Sequence, residues 1–341
     1  MALGEFDLIR RFFASANLNF ARAHVALGQG DDAAILSVPA GYQLVMSIDT
    51  LNESVHFPPD ADPFLLAQRC LLVNLSDLAA MGAEPLAFTL AISLPRADEH
   101  WLQAFSHGLA QVASACQCPL VGGDTTRGSL SITIQVHGLV PAGQALLRSG
   151  ARTGDAVYVT GDLGEAGAAL WWLMQDARLL RQHLDHSGEQ ALLRAFYQPD
   201  ARVNAGVALR GLASAALDIS DGLVSDLQHI LDASGGLGAV LDTQSVPVSA
   251  VVRTCIPESE QLRLALSAGD DYELCVCIPP QNEAAAITSM AALGVKFTRV
   301  GQLRAGQGIV LQWPDGRVQA PAWQGYAHFA QADDATLTRV D

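Results

Sequence analysis

Lysine is almost missing from this chain: of 20 basic residues only Lys296 is a lysine. That excludes the Gly-x-x-x-x-Gly-Lys-Ser/Thr phosphate loop and the protein-kinase signatures built on a strand lysine. Basic residues are outnumbered by 35 acidic ones, for a formal charge of −15. This balance argues against a nucleic acid or an anionic membrane surface as partner, since both reward clustered Lys and Arg. Charged residues make up only 16% of the chain and hydrophobic ones half, so a large core is available and wholesale disorder is excluded. No uncharged apolar run reaches the roughly 18 residues that span a bilayer. The start, Met1-Ala2-Leu3-Gly4-Glu5-Phe6-Asp7, has neither the basic segment nor the apolar stretch of a signal peptide. Cys116/Cys118 and Cys275/Cys277 have Cys-x-Cys spacing, but no histidine pattern accompanies them. They read as reduced thiols of a cytoplasmic protein.

With 341 residues there is room for two domains of ordinary size. From Glu5 to about residue 16, Phe6, Ile9, Phe12 and Phe13 fall at helical spacing. Tyr42 to Ile48 predicts a strand running into Asp49, 64–81 a nearly continuous apolar helix, and Leu86 to Leu94 a strand stopped by Pro95. Trp101, Phe105, Leu109 and Val112 form one stripe of an amphipathic helix. Leu120-Val121 leads into a glycine turn, and Leu130 to Val140 is another strand. The stretch Pro141 to Thr153 is the best boundary. Beyond it strands are expected at 156–160, 216–219, 239–241, 272–278 and 296–300, with helices at 223–233 and 282–293. Helices mixed with adjacent strand pairs predict an α+β (mixed α/β) fold in two domains, not one doubly wound sheet.

Against this background, aspartate recurs beside glycine or small polar residues in six short segments. They are Gly30-Asp31-Asp32-Ala33-Ala34, Ser47-Ile48-Asp49-Thr50, Asn74-Leu75-Ser76-Asp77, Gly122-Gly123-Asp124-Thr125-Thr126, Asp218-Ile219-Ser220-Asp221-Gly222 and Gly269-Asp270-Asp271-Tyr272. As loops they are expected at strand or helix ends. Carboxylates gathered there bind hard cations such as Mg²⁺, which keep waters and bridge to substrate phosphates. Taken singly, each segment is equally an ordinary Asp/Gly turn. Asp77, inside an apolar helix, is expensive unless paired or bound to metal. Asp218, Ser220 and Asp221 mark a strand-to-helix junction, where they cap the helix or leave its N-terminus open to a phosphate. Arg127 and Arg148 can clamp phosphate oxygens or simply face solvent. His56 is either a site residue or a buried structural histidine. Gly161-x-x-Gly164-x-x-Gly167 lacks the Gly-x-Gly start of a dinucleotide fingerprint, which favours close strand–helix packing.

Several of these segments occur in an order that resembles one family. Gly28-x-Gly30-Asp31-Asp32-Ala33-Ala34, Asp49-Thr50-Leu51 with His56-Phe57, Asn74-Leu75-Ser76-Asp77-Leu78-Ala79-Ala80-Met81-Gly82-Ala83, Gly122-Gly123-Asp124-Thr125-Thr126-Arg127-Gly128 and Asp218-x-Ser220-Asp221-Gly222-Leu223 closely resemble the thiamine-monophosphate kinases. The likeness runs from Gly4-Glu5-Phe6 to Gly325-Tyr326-x-His328-Phe329. The broader superfamily is that of aminoimidazole ribonucleotide synthetase and selenophosphate synthetase. Those relatives carry an N-terminal catalytic lysine, which this chain lacks.

The resemblance implies ATP-dependent phosphorylation of thiamine monophosphate to thiamine diphosphate with several Mg²⁺ ions. Transfer is expected to be direct, without a phosphoenzyme and without a covalent or acid–base catalytic residue. By motif position Asp32, Ser47, Ile48 (through its carbonyl), Asp49, Asp77, Asp124, Asp218 and Asp221 would bind metal. Gly123, Asp124, Arg148 and Ser220 would contact ATP, and His56, Asp270 and Tyr326 would line the thiamine phosphate site. The family often has Glu where this chain has Asp270, one methylene shorter. The resemblance also implies an ATP/Mg-binding and dimerisation domain over 1–145, a C-terminal α/β domain over 146–341 that completes the active site, and a homodimer formed through the N-terminal sheets.

Overall fold

The computed structural model describes residues 4–15, 17–176, 178–323 and 325. The chain divides into two compact units, one made of the N-terminal segment to Ala145 with Tyr197–Arg210, the other of Leu146–Phe196 and the chain from Gly211 on. Among the described residues no helix is long and apolar enough to cross a membrane.

The first unit opens with α1 (Glu5–Leu8), continued by a π-helical turn through Phe13, and the short strands β1 (Val25–Leu27) and β2 (Ile35–Leu36). Then come β3 (Tyr42–Asn52), α2 (Pro63–Ala80), β4 (Glu84–Leu94), α3 (Glu99–Ala115), β5 (Leu120–Arg127) and β6 (Ser131–Pro141). The four long strands form one sheet in the order β3-β6-β4-β5, antiparallel except for the β4–β5 pair. Helix α2 begins where Asp62 accepts the N–H groups of Phe64 and Leu65 at 2.9 and 3.0 Å, with Pro63 in the first turn. It is apolar almost all round and correspondingly buried, packing against α3, β3 and β6. Leu102, Phe105, Leu109 and Val112 are the buried stripe of α3.

In the second unit β7 (Ala156–Thr160), α4 (Glu165–Leu173) and most of α5 (His186–Tyr197) come first. The chain then returns to the first unit as α6 (Val203–Leu209), which packs on α2. A Cβ on Gly206 would lie 1.9 Å from the Ala79 carbonyl oxygen, so glycine is what allows this approach. Back in the second unit follow β8 (Ala215–Asp218), α7 (Leu223–Ala233), β9 (Gly238–Asp242), α8 (Ala250–Cys255) and α9 (Glu258–Ser267). The last elements are β10 (Leu274–Ile278), α10 (Glu283–Ala292), β11 (Phe297–Arg304), β12 (Gly308–Gln312) and β13 (Val318–Gln319). Their sheet runs β13-β12-β9-β11-β7-β10-β8, with only β12–β9 parallel. Cys275 and Cys277 lie on one face of β10 within the buried core with Val157, Val159 and Leu217, as free thiols.

The mixed α/β, two-unit architecture is the one the sequence pattern predicts. Three of the six acidic segments, however, are not loops: 47–50 lies inside β3, 74–77 inside α2 and 122–126 inside β5. Pairing with β4 draws the Gly-Gly-Asp-Thr-Thr run into a strand, with Gly123 opposite Leu90 and Asp124 opposite Ala91. The Gly161/Gly164/Gly167 spacing serves close packing, since a Cβ at Gly161 would meet the Glu273 carboxylate and one at Gly167 the Ala268 methyl.

Candidate active site

In the first unit, strand alternation turns Ser47 and Asp49 to the same side of β3, against α2. The Ser47 hydroxyl donates to Asp77 Oδ2 at 2.6 Å. Burial, the charge of Asp77 and a hydrogen bond to Asp77, in that order, push the Asp49 carboxyl up to about 6. Asp49 is solvent-exposed by area, so the neighbouring carboxylate is the cause the geometry supports best. Asn74, fully buried on α2, accepts the Asp49 N–H at 3.0 Å and donates to the Cys70 carbonyl at 2.8 Å. It thereby fixes the strand carrying Asp49 to the helix carrying Asp77. Ile48 turns its side chain outward, 57% exposed, and pairs with Gln135 of β6.

Asp32 and Asp124 are both exposed and line one cavity of about 1030 Å³ together with Gly30, Gly123, Ile9 and Phe13. Gln29 braces its wall, donating to the carbonyls of Phe13 and Leu120 at 3.0 and 2.9 Å. At Gly123 φ is 154° and a Cβ would lie 1.9 Å from the Leu90 carbonyl oxygen, so β5 approaches β4 this closely only with glycine there. Just after β3, half-buried His56 accepts the Asn52 N–H on Nδ1 at 3.0 Å. A neutral ring accepting there carries its proton on Nε2.

In the second unit, Asp218 ends β8 and is 7% exposed; Ser220 and Asp221 follow in the turn to α7. Loop 269–272 is stitched to that turn, Asp270 N–H donating to the Ser220 carbonyl at 2.8 Å and Tyr272 N–H to the Ile219 carbonyl at 2.9 Å. Asp270 and Tyr272 hold φ of 64° and 51°, a left-handed backbone that non-glycine residues adopt at a cost of about 1–3 kcal/mol each. The Tyr272 hydroxyl donates to Asp270 Oδ1 at 3.2 Å. Such strain is held by surrounding structure and clusters at ligand sites. Arg148 is exposed, and its carbonyl accepts from the Ser234 hydroxyl at 3.3 Å. Tyr326 lies outside the described residues.

The Asp221 N–H donates to Asp226 Oδ2 at 3.0 Å. The Asp226 carboxylate thus braces the turn that leads into α7. Asp226 and Asn74 are the residues that motif reading missed as part of the site. A polar residue at a buried helical position was the available signal for both.

Among the described residues no three His, Cys, Asp or Glu side chains stand close enough to hold a metal by themselves. Magnesium does not require such a cage. It is bound by one or two carboxylates, waters and substrate phosphates. Asp49 and Asp77, with the Ser47 hydroxyl beside them, form a donor set of that kind, and a divalent cation there would relieve the like-charge contact that raises the Asp49 carboxyl.

Comparisons with known proteins agree with this layout. Models of the AIR synthase related protein N-terminal and C-terminal domains match residues 30–140 and 152–314. The thiamine-monophosphate kinase of Salmonella typhimurium is 45% identical over 330 residues, 97% of this chain and 99% of the relative. The crystal structure of thiamine-monophosphate kinase from Stenotrophomonas maltophilia superposes with a TM-score of 0.83 at 41% identity, covering 93% of this chain and 98% of that one. A structure described as AaThiL complexed with AMPPCP and TMP has a TM-score of 0.74 at 26% identity, covering 96% and 99%. With near full-length identity at this level, and the family's acidic segments built into both units, the chain belongs to the thiamine-monophosphate kinase family.

Proposed function

We propose that this protein transfers the γ-phosphoryl group of ATP to the phosphate of thiamine monophosphate, releasing ADP and thiamine diphosphate. An oxygen of the substrate phosphate attacks the γ-phosphorus, and the bond from that phosphorus to the bridging β,γ oxygen breaks. The attacking oxygen is already ionised at neutral pH, so little base catalysis is needed, and no phosphoenzyme forms. The difficulty is repulsion between two polyanions in a chain of net charge −15. Bound Mg²⁺ supplies the neutralising charge at the phosphate oxygens. The observation that carries this reading is the meeting of Asp49 with Asp77, which also accepts the Ser47 hydroxyl: two like charges brought together where a cation relieves them.

Asp32, Asp49, Asp77 and Asp124, with the Ser47 hydroxyl and Ile48 carbonyl, are the metal-binding set of the first unit; Asp218 and Asp221 are that of the second. Gly123, Asp124, Arg148 and Ser220 are the ATP-contacting residues. His56, Asp270 and Tyr326 recognise thiamine monophosphate. Residues 1–145 act as the ATP/Mg-binding and dimerisation domain and 146–341 as the C-terminal domain of the active site. A homodimer through the first-unit sheet is supported by the edge strand β3, where Tyr42, Leu44, Met46 and Ile48 form an exposed apolar stripe. The enzyme works in the cytoplasm, where its six cysteines stay thiols.

The test is phosphoryl transfer by the purified protein with ATP and Mg²⁺, offering thiamine monophosphate or free thiamine, with EDTA as control. Thiamine diphosphate made only from the monophosphate, and not in EDTA, is the expected result. Binding of ATP with Mg²⁺ but no phosphorylation of either acceptor overturns the substrate assignment.

A further inference from the structure

We infer that Asp226 is a positioning residue for the acidic turn of the second unit, holding Asp218 and Asp221 in place for a divalent cation through the backbone of residues 220–222. The inference rests on the proposed metal-binding role of that turn. Asp226 is 4% exposed and lies in the first turns of α7. Its Oδ2 accepts the Asp221 N–H at 3.0 Å, while its own N–H donates to the Gly222 carbonyl at 3.0 Å. These two hydrogen bonds tie the acidic turn to the first turn of α7, and with it loop 269–272, whose Asp270 and Tyr272 amides depend on the Ser220 and Ile219 carbonyls. One side chain that touches no substrate therefore orders both acidic segments of this unit.

Asp226→Asn keeps the size but loses the charge and can turn two N–H donors toward the Asp221 N–H. Mn²⁺ binding followed by electron paramagnetic resonance, on full-length protein with a non-hydrolysable ATP analogue, should weaken about tenfold or more, as for other residues that orient metal ligands. In the kinase assay kcat should fall and the Mg²⁺ half-saturation rise, with near-ultraviolet circular dichroism unchanged. Asp232→Asn, on the exposed part of the same helix, should leave all three as they are. A folded Asp226→Asn protein with Mn²⁺ affinity within twofold of the native one overturns the inference. Native protein that binds no Mn²⁺ instead sinks the metal-binding reading itself. If Asp226→Asn does not fold, hydrogen exchange of the native protein decides. The Asp221 amide should stay protected when Mg²⁺ and the analogue are added, and loss of that protection means the carboxylate leaves the amide to take another role.

Discussion

Among the described residues the carboxyls of Asp49, Asp226 and Asp271 are raised above the ordinary range, and those of Asp49 and Asp271 lend themselves to single-residue tests. Asp77→Asn keeps an acceptor for the Ser47 hydroxyl and removes the charge facing Asp49. Turnover should drop about 10²-fold or more. The melting temperature in EDTA should hold or rise, because a repulsive pair has gone. A variant with near-native activity shows that Asp77 holds no metal. Asp271 is the second. Burial raises its carboxyl well above the ordinary 3.8, the Gly164 N–H opposes this, and the charges of Glu273, Asp270 and Glu165 add to it. Its Oδ1 accepts that N–H at 2.9 Å, and its Oδ2 has no partner. The folded state holds this proton to higher pH than the unfolded one, so its contribution to stability is lost as pH rises from about 3.8 through the raised native value. Asp271→Asn carries no such titration. The variant should gain in melting temperature relative to the native protein between pH 4 and pH 8. A difference independent of pH would show that Asp271 is ionised when folded.

At the level of elements, the position of Asp77 depends on α2, and α2 is held on one side by α6. Gly206→Ala places a methyl against the Ala79 carbonyl, backbone that cannot step aside. It should cost about 2–3 kcal/mol of stability, read as a lower midpoint of urea unfolding. A native-like midpoint would mean that α6 shifts freely on α2. Helices α2 and α3 are legible in the sequence because their caps, Asp62 and Asp98, and their apolar spacing are local. The strand character of 122–126 is not, because it comes from hydrogen bonds to β4, about thirty residues earlier. Nothing in the local pattern of 197–210 marks it as a return to the first unit.

For the whole molecule, the governing quantities are a net charge of −15 and an uncovered strand edge. Met46 and Leu44 are 57% and 38% exposed on β3. Changing both to glutamate puts charge on an apolar stripe and should raise the dissociation constant of the proposed dimer about 10²-fold or more. Light scattering on the eluting protein checks this. Native mass across micromolar dilution would place the dimer contact elsewhere.

What the sequence determined by itself was chemistry: one lysine and a run of aspartate segments leave cation-assisted phosphate handling as the available route. Residue type and order suffice for that, since charge and donor chemistry are properties of side chains wherever they lie. The tertiary structure decided which of those groups meet. Ser47 and Asp77 are thirty residues apart in the chain and 2.6 Å apart in the fold. Asn74 supplies the backbone link to Asp49. Asp226 takes the Asp221 N–H of a turn whose bracing the motif alone does not show. Those contacts follow from packing a helix on a sheet and from where backbone N–H groups must be satisfied, both non-local conditions that no spacing of letters encodes.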